Sequence, residues 1–149
     1  MTSVTLAPLT DAEARQFVDE WFQRLDIHAP SEEVLPLVAD EDVQMKFPEA
    51  TLYGKDEFKK WYEGVIRIFF DEVHTLQRLN IKTSSNQATV DLILQWEASR
   101  WNPPAAKSER LAFTAVQTWI LTRSPITQKA VITRYIVKEL IPLPGYPAL

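Results

Sequence analysis

Only two histidines, His28 and His74, and no cysteine stand among the residues able to carry proton-transfer or covalent chemistry. The missing cysteine removes thiolate nucleophiles, thiolate metal sites and disulfides from consideration. With glycine only at 54, 64 and 145, no phosphate-cradling loop can be built, so no nucleotide cofactor is expected. Neither histidine has a second ligand at helix or strand spacing, so no metal site is expected either. Proton transfer remains. His74, in "DEVHTLQRLN", starts a strand-like stretch, and imidazole titrates close enough to neutrality for general acid–base work. The bland alternative is a polar side chain hydrogen-bonded at a strand edge. Further along, Glu139 is a second candidate to move a proton, and Tyr135 a candidate to hydrogen-bond a developing oxyanion.

Two amphipathic helices and a run of strands must position these groups. In "LTDAEARQFVDEWFQRLDIH", Thr10 and Glu13 form a capping box ahead of apolar residues at Ala14, Phe17, Val18, Trp21, Phe22 and Leu25. A short helix limited by Pro36 follows. A strand over Val43 to Phe47 ends at Pro48, and an extended piece spans Thr51 to Tyr53. "GKDEFKKWYEGVIRIFF" reads as a second long helix ending near Phe70, with Phe58, Trp61, Tyr62, Val65, Ile66 and Phe69 on one face and Gly64 suggesting close packing. Asp71 and Glu72 are then solvated turn residues. From His74 the period changes to two, with strands over Thr75 to Thr83, Ala88 to Trp101, Leu111 to Thr122 and Ala130 to Leu140.

Alternation assigns faces. Ala88, Val90, Leu92, Leu94, Trp96 and Ala98 form an apolar, inward set, and Leu111, Phe113, Ala115, Trp119 and Leu121 form another. The second set includes Gln117, a polar residue on a buried face that suits a cavity. Leu76 belongs to one face while Leu79 and Ile81 belong to the other, so a bulge is expected near Gln77 or Arg78. Both faces of "VITRYIVKE" are mixed, leaving Tyr135 and Glu139 unplaced.

Helices followed by long strands with short polar turns imply an α+β domain, a curved antiparallel sheet wrapped around N-terminal helices and enclosing a pocket. One domain over 1–149 is expected, its core spanning about 10–140, with the Pro-rich end "IPLPGYPAL" (141–149) a surface tail. The net charge of −4 with scattered basic residues argues against nucleic acid and anionic membrane as partners. The first residues lack a basic, apolar leader pattern, and no stretch is long enough for a membrane helix, so a cytoplasmic protein is expected.

The order of elements, with "FPEATLYGKDEFKKW", "HTLQRLNIKTSSNQATVDL" and "KAVITRYIVKEL", resembles the nuclear transport factor 2-like superfamily, and within it the polyketide-cyclase-like (SnoaL-like) branch. The resemblance implies a cystatin-like cone with a pocket at its wide end, and often a homodimer through the exposed sheet face. Ketosteroid-isomerase-like members carry a base just before the proline ending the first strand, where this chain has Phe47. Dehydratase-like members use two histidines, of which His74 could supply one. Epoxide-hydrolase-like members use Asp–Arg–Asp, and Asp91, the one strand-interior Asp, faces outward.

The expected function is therefore the binding of a small, mostly apolar organic molecule in an aromatic-lined pocket formed by Trp21, Tyr62, Trp96, Gln117 and Trp119. With it goes cofactor-free acid–base catalysis of isomerase, dehydratase or cyclase type by His74, Glu139 and Tyr135. The alternative is a non-catalytic ligand-binding or protein-interaction module of the same fold.

Overall fold

The computed structural model describes residues 6–149, so the leader reading of the N-terminus falls partly on residues outside this range. Helix α1, Asp11–Asp26, starts with the Thr10–Glu13 capping box and buries Ala14, Phe17, Val18, Trp21 and Phe22. A short helix α2, Ser31–Val34, passes into a 3-10 turn at Leu35–Leu37. Strands β1, Gln44–Lys46, and β2, Thr51–Tyr53, lead into helix α3, Gly54–Ile68. Gly54 enters that helix with φ +82°, a conformation that glycine adopts at no steric cost. Gly64, by contrast, has open space where a Cβ would lie; it stands at a cavity mouth rather than at a close helix contact.

Four long strands follow: β3, Phe69–Thr83; β4, Gln87–Arg100; β5, Glu109–Arg123; and β6, Ala130–Pro142. The six strands form one sheet in the order β2-β1-β6-β5-β4-β3. All pairs are antiparallel except β1 with β6, so the sheet is mixed rather than purely antiparallel. It curves around α1 and α3, giving an α+β fold with one aromatic-rich core. Trp21, Trp119, Tyr62, Phe58 and Phe113 are among the largest fully buried side chains. Trp21 lies 5.9 Å from Trp119, 5.7 Å from Phe58 and 5.6 Å from Tyr135 between ring centroids, the spacing at which aromatic pairs add to simple burial.

Register irregularities decide which side chains look inward. In β3 the pairing with β4 shifts between Phe70 and Val73 and again between Leu76 and Arg78. The second shift is the bulge that the Leu76–Leu79–Ile81 spacing requires. The first has a consequence for Asp71 and Glu72, which are strand residues and not a solvated turn. Asp71 takes φ +50°, and the bulge turns Glu72 into the interior, where it is only 9% exposed.

In β6 the register against β5 shifts at Thr133 and at Lys138. Tyr135 and Val137 therefore share the inner face with Ile132 and Leu140, whereas Glu139 is exposed. The C-terminal tail is more than a surface appendage: β6 runs to Pro142, Leu143 N donates to Ala112 O at 2.9 Å, and Leu149 borders the cavity. No helix among the described residues is long and apolar enough to cross a membrane.

Candidate active site

A cavity of about 130 Å³ lies between α3 and the concave face of the sheet, large enough for roughly one aromatic ring. Its walls are mostly apolar. Trp61, Val65 and Ile66 come from α3, Leu94 and Trp96 from β4, and Val137 and Leu140 from β6. Phe47 forms another wall, stacked on Trp61 at 4.1 Å between centroids. The cavity widens to a mouth bounded by Pro48, Glu49, Gly64, Ile68 and the C-terminal Leu149. Apolar walls with a few converging polar groups are the usual composition of a small-molecule site.

The polar groups on the wall are Glu72 and His74 of β3, Gln117 of β5, Tyr135 of β6 and Tyr62 of α3, with Glu49 exposed at the mouth. His74 is held from behind. Its Nδ1 lies 2.5 Å from Asp26 Oδ1, and its backbone N–H donates to Asp26 Oδ2 at 3.3 Å. Asp26 is the last residue of α1, and its carboxylate reaches β3 because that helix packs across the strand. An imidazole that donates from Nδ1 to a carboxylate presents Nε2 as an acceptor. The ring also stacks on Phe22 at 5.0 Å with an interplanar angle of 16°, so its plane is held by packing as well as by the hydrogen bond. The side chain is 9% exposed.

Two phenols face the same space. Tyr62 donates to Ala29 O at 2.6 Å, and its pKa is pushed up to about 12, chiefly by burial, with the Glu72 and Glu33 charges adding. Burial also raises the Tyr135 phenol far above its ordinary value, against a smaller opposing effect of Gln117 and Trp21. Trp21 Nε1 lies close enough to weigh on that phenol yet makes no hydrogen bond of ordinary geometry. Both tyrosines therefore stay protonated at neutral pH, and Tyr135 remains a hydrogen-bond donor. Gln117, only 6% exposed, accepts from Trp119 Nε1 at 3.0 Å through Oε1.

The residues picked from the sequence separate into three groups. His74, Tyr135, Tyr62, Trp96 and Gln117 all border the cavity. Trp21 and Trp119 are buried behind it, supporting its wall without lining it. Glu139 is not brought to the cavity, because the Lys138 bulge turns it to the opposite, exposed face. Asp26, Glu72 and His28 escaped sequence reasoning. A trace of Asp26 was visible, since a carboxylate ending a helix opposes the dipole and needs a cationic or donor partner. Nothing in the local pattern marks the bulge that turns Glu72 inward.

No described protein family matches the chain, and no curated protein is similar to it in sequence. Solved structures do match. A protein of unknown function with a cystatin-like fold from Nostoc punctiforme superposes with a TM-score of 0.69 at 17% identity, over 98% of this chain and 100% of that one. The chain thus has a cystatin-like fold. A protein of the nuclear transport factor 2-like family from Streptomyces avermitilis aligns at TM-score 0.71 and 14% identity, over 92% of this chain and 100% of its own. Hexachlorocyclohexane dehydrochlorinase from Novosphingobium barchaimii aligns at TM-score 0.71 and 12% identity, over 93% and 92% of the two chains. At these identities the likeness to nuclear transport factor 2-like proteins is one of fold, and function has to be argued from the site.

Proposed function

We propose that the protein binds a small, mostly apolar organic molecule and catalyses a cofactor-free acid–base reaction on it, an isomerase- or lyase-type step. One observation carries this reading: an imidazole on the wall of an apolar cavity, its Nδ1 2.5 Å from a carboxylate. His74 Nε2 removes a proton from a carbon next to an electron-withdrawing group. Asp26 holds the ring orientation and stabilises the imidazolium that forms. Tyr135, kept protonated by burial, donates to the oxygen on which charge develops. Phe47 and Trp61 hold the apolar body of the molecule. The fold neighbours include an enzyme named as a dehydrochlorinase, which is compatible with elimination chemistry on this scaffold.

The reading also includes a homodimer. Ile93, Val116, Ile120 and Ile136 give the outer sheet face an apolar centre, with Val73 exposed beside it.

The test uses a nitrobenzisoxazole, a small fused bicyclic probe whose opening needs only a base: the C–H proton leaves, the N–O bond breaks and a coloured phenolate is released. The native protein is expected to accelerate this opening, and His74→Ala to lower the rate by about 100-fold. Equal rates for the two proteins would sink the reading.

A further inference from the structure

A second histidine–carboxylate pair meets the same cavity in the opposite order. Here the carboxylate faces the cavity and the imidazole lies behind it. Glu72 Oε2 lies 2.5 Å from His28 Nε2, and Glu72 Oε1 accepts from Trp96 Nε1 at 3.0 Å. Glu72 lines the cavity with its side chain 6% exposed, while His28, which does not line it, keeps a quarter of its side chain in solvent. The pair thus forms a short path from the cavity interior to the outside.

The backbone has been bent at both ends to make it. His28 takes φ +51° in the connection after α1, and Asp71 takes φ +50° at the β3 bulge that turns Glu72 inward. Left-handed conformations at non-glycine residues carry a cost and gather where a side chain must be delivered to one place. Glu72 and His74 are two apart on the same face of β3, so roughly 7 Å of strand separates them, a spacing that lets both reach one small molecule.

We infer that Glu72 is a second catalytic group, a general acid that delivers a proton to a leaving oxygen, and that His28 is a positioning residue that resupplies it from solvent. This rests on the reading of His74 as base. In the combined step, the C–H bond next to the substrate's carbonyl breaks and its proton passes to His74 Nε2. The electron pair becomes the new C=C bond. The C–O bond breaks, and the departing hydroxide takes the Glu72 proton and leaves as water. His28 then passes a proton to Glu72, and His74 returns its own through the cavity mouth. The substrate class is a small aromatic or alicyclic β-hydroxy carbonyl compound.

The experiment runs two probes in parallel on the full chain. One is the nitrobenzisoxazole, whose phenolate departs without needing a proton. The other is the β-hydroxy ketone formed by aldol addition of acetone to benzaldehyde, whose hydroxyl must be protonated to leave. Glu72→Gln keeps the volume of the side chain and can hydrogen-bond both His28 and Trp96. It is expected to lower kcat for the dehydration by about 100-fold, and to lower the ring opening at least tenfold less than that. His28→Gly suits the positive φ and leaves a gap the size of an imidazole. It should lose the dehydration to a similar extent and regain part of it when imidazole is added.

A Glu72→Gln protein that loses both reactions equally, or neither, overturns the inference. So does a His28→Gly protein with no loss, or with a loss that imidazole does not restore, and so does a native protein that opens the ring without dehydrating the ketone. Ring opening that is unaffected by His74→Ala instead overturns the base reading, and the two failures are thereby told apart.

Discussion

Asp26 stands where an unpaired carboxylate is least welcome, at the negative end of the α1 dipole. His74 supplies the partner, so substitution should affect the ring more than the helix. Asp26→Asn is expected to cost about 100-fold in the ring-opening rate, because an amide holds the imidazole less firmly and stabilises its cation less. Loss of the dipole conflict should leave thermal stability within about 1 kcal/mol of native. Parallel rate and urea-unfolding measurements check both. Tyr62 is a different case. Its hydroxyl satisfies the Ala29 carbonyl at 2.6 Å beneath a fully buried ring. Tyr62→Phe strips a buried acceptor of its donor and should destabilise by about 1 to 3 kcal/mol in urea unfolding.

At the scale of elements, the end of β5 anchors the segment that leads into α1. Arg123 donates to Ala7 O, Pro8 O and Gln128 O, and Nη2 reaches Glu13 Oε1 at 2.8 Å. The hydrogen bond from Arg123 is the largest influence holding the Glu13 carboxyl below its ordinary value. A depressed carboxyl contributes stability that is present above its unfolded-state pKa and is lost as pH falls through the folded one. Arg123→Met should therefore destabilise by about 1 to 2 kcal/mol at neutral pH. The gap between variant and native unfolding midpoints should narrow in acid, and a gap independent of pH would contradict the role given to the Glu13 contact.

Bulges act at the same scale. The Leu76–Leu79–Ile81 mismatch revealed one of them in the sequence, and the inward set of β4 was legible because its apolar residues alternate without interruption. The bulges at Asp71–Glu72 and Lys138 left no such mark, since apolar and polar residues are mixed on both faces around them. Those two decide that Glu72 enters the cavity and Glu139 leaves it.

For the molecule as a whole, the curved sheet has one face closed by helices and the other open. The concave side is filled by the aromatic cluster around Trp21, Trp119 and Tyr135, with ring centroids 5.3 to 5.9 Å apart. The convex side has an apolar centre around Val116 that a second copy would cover. Sedimentation equilibrium should give twice the mass of one chain, and Val116→Glu should shift it toward one chain, because a charge there would be stripped of water without a partner. A native protein of single-chain mass would remove the dimer from the reading.

Periodicity, caps and turn residues determined the elements, their order and the α+β cone, because each depends on contacts only a few residues apart. They also marked His74 and Gln117, each a polar residue on or beside a strand otherwise patterned for burial. Only the tertiary structure decided the partners. Asp26 and His74 are 48 positions apart and His28 and Glu72 are 44 apart. Each pair meets because α1 and the connection after it pack against a bulged β3. No local pattern encodes a distance set by the packing of a helix on a sheet and by the register of a single strand.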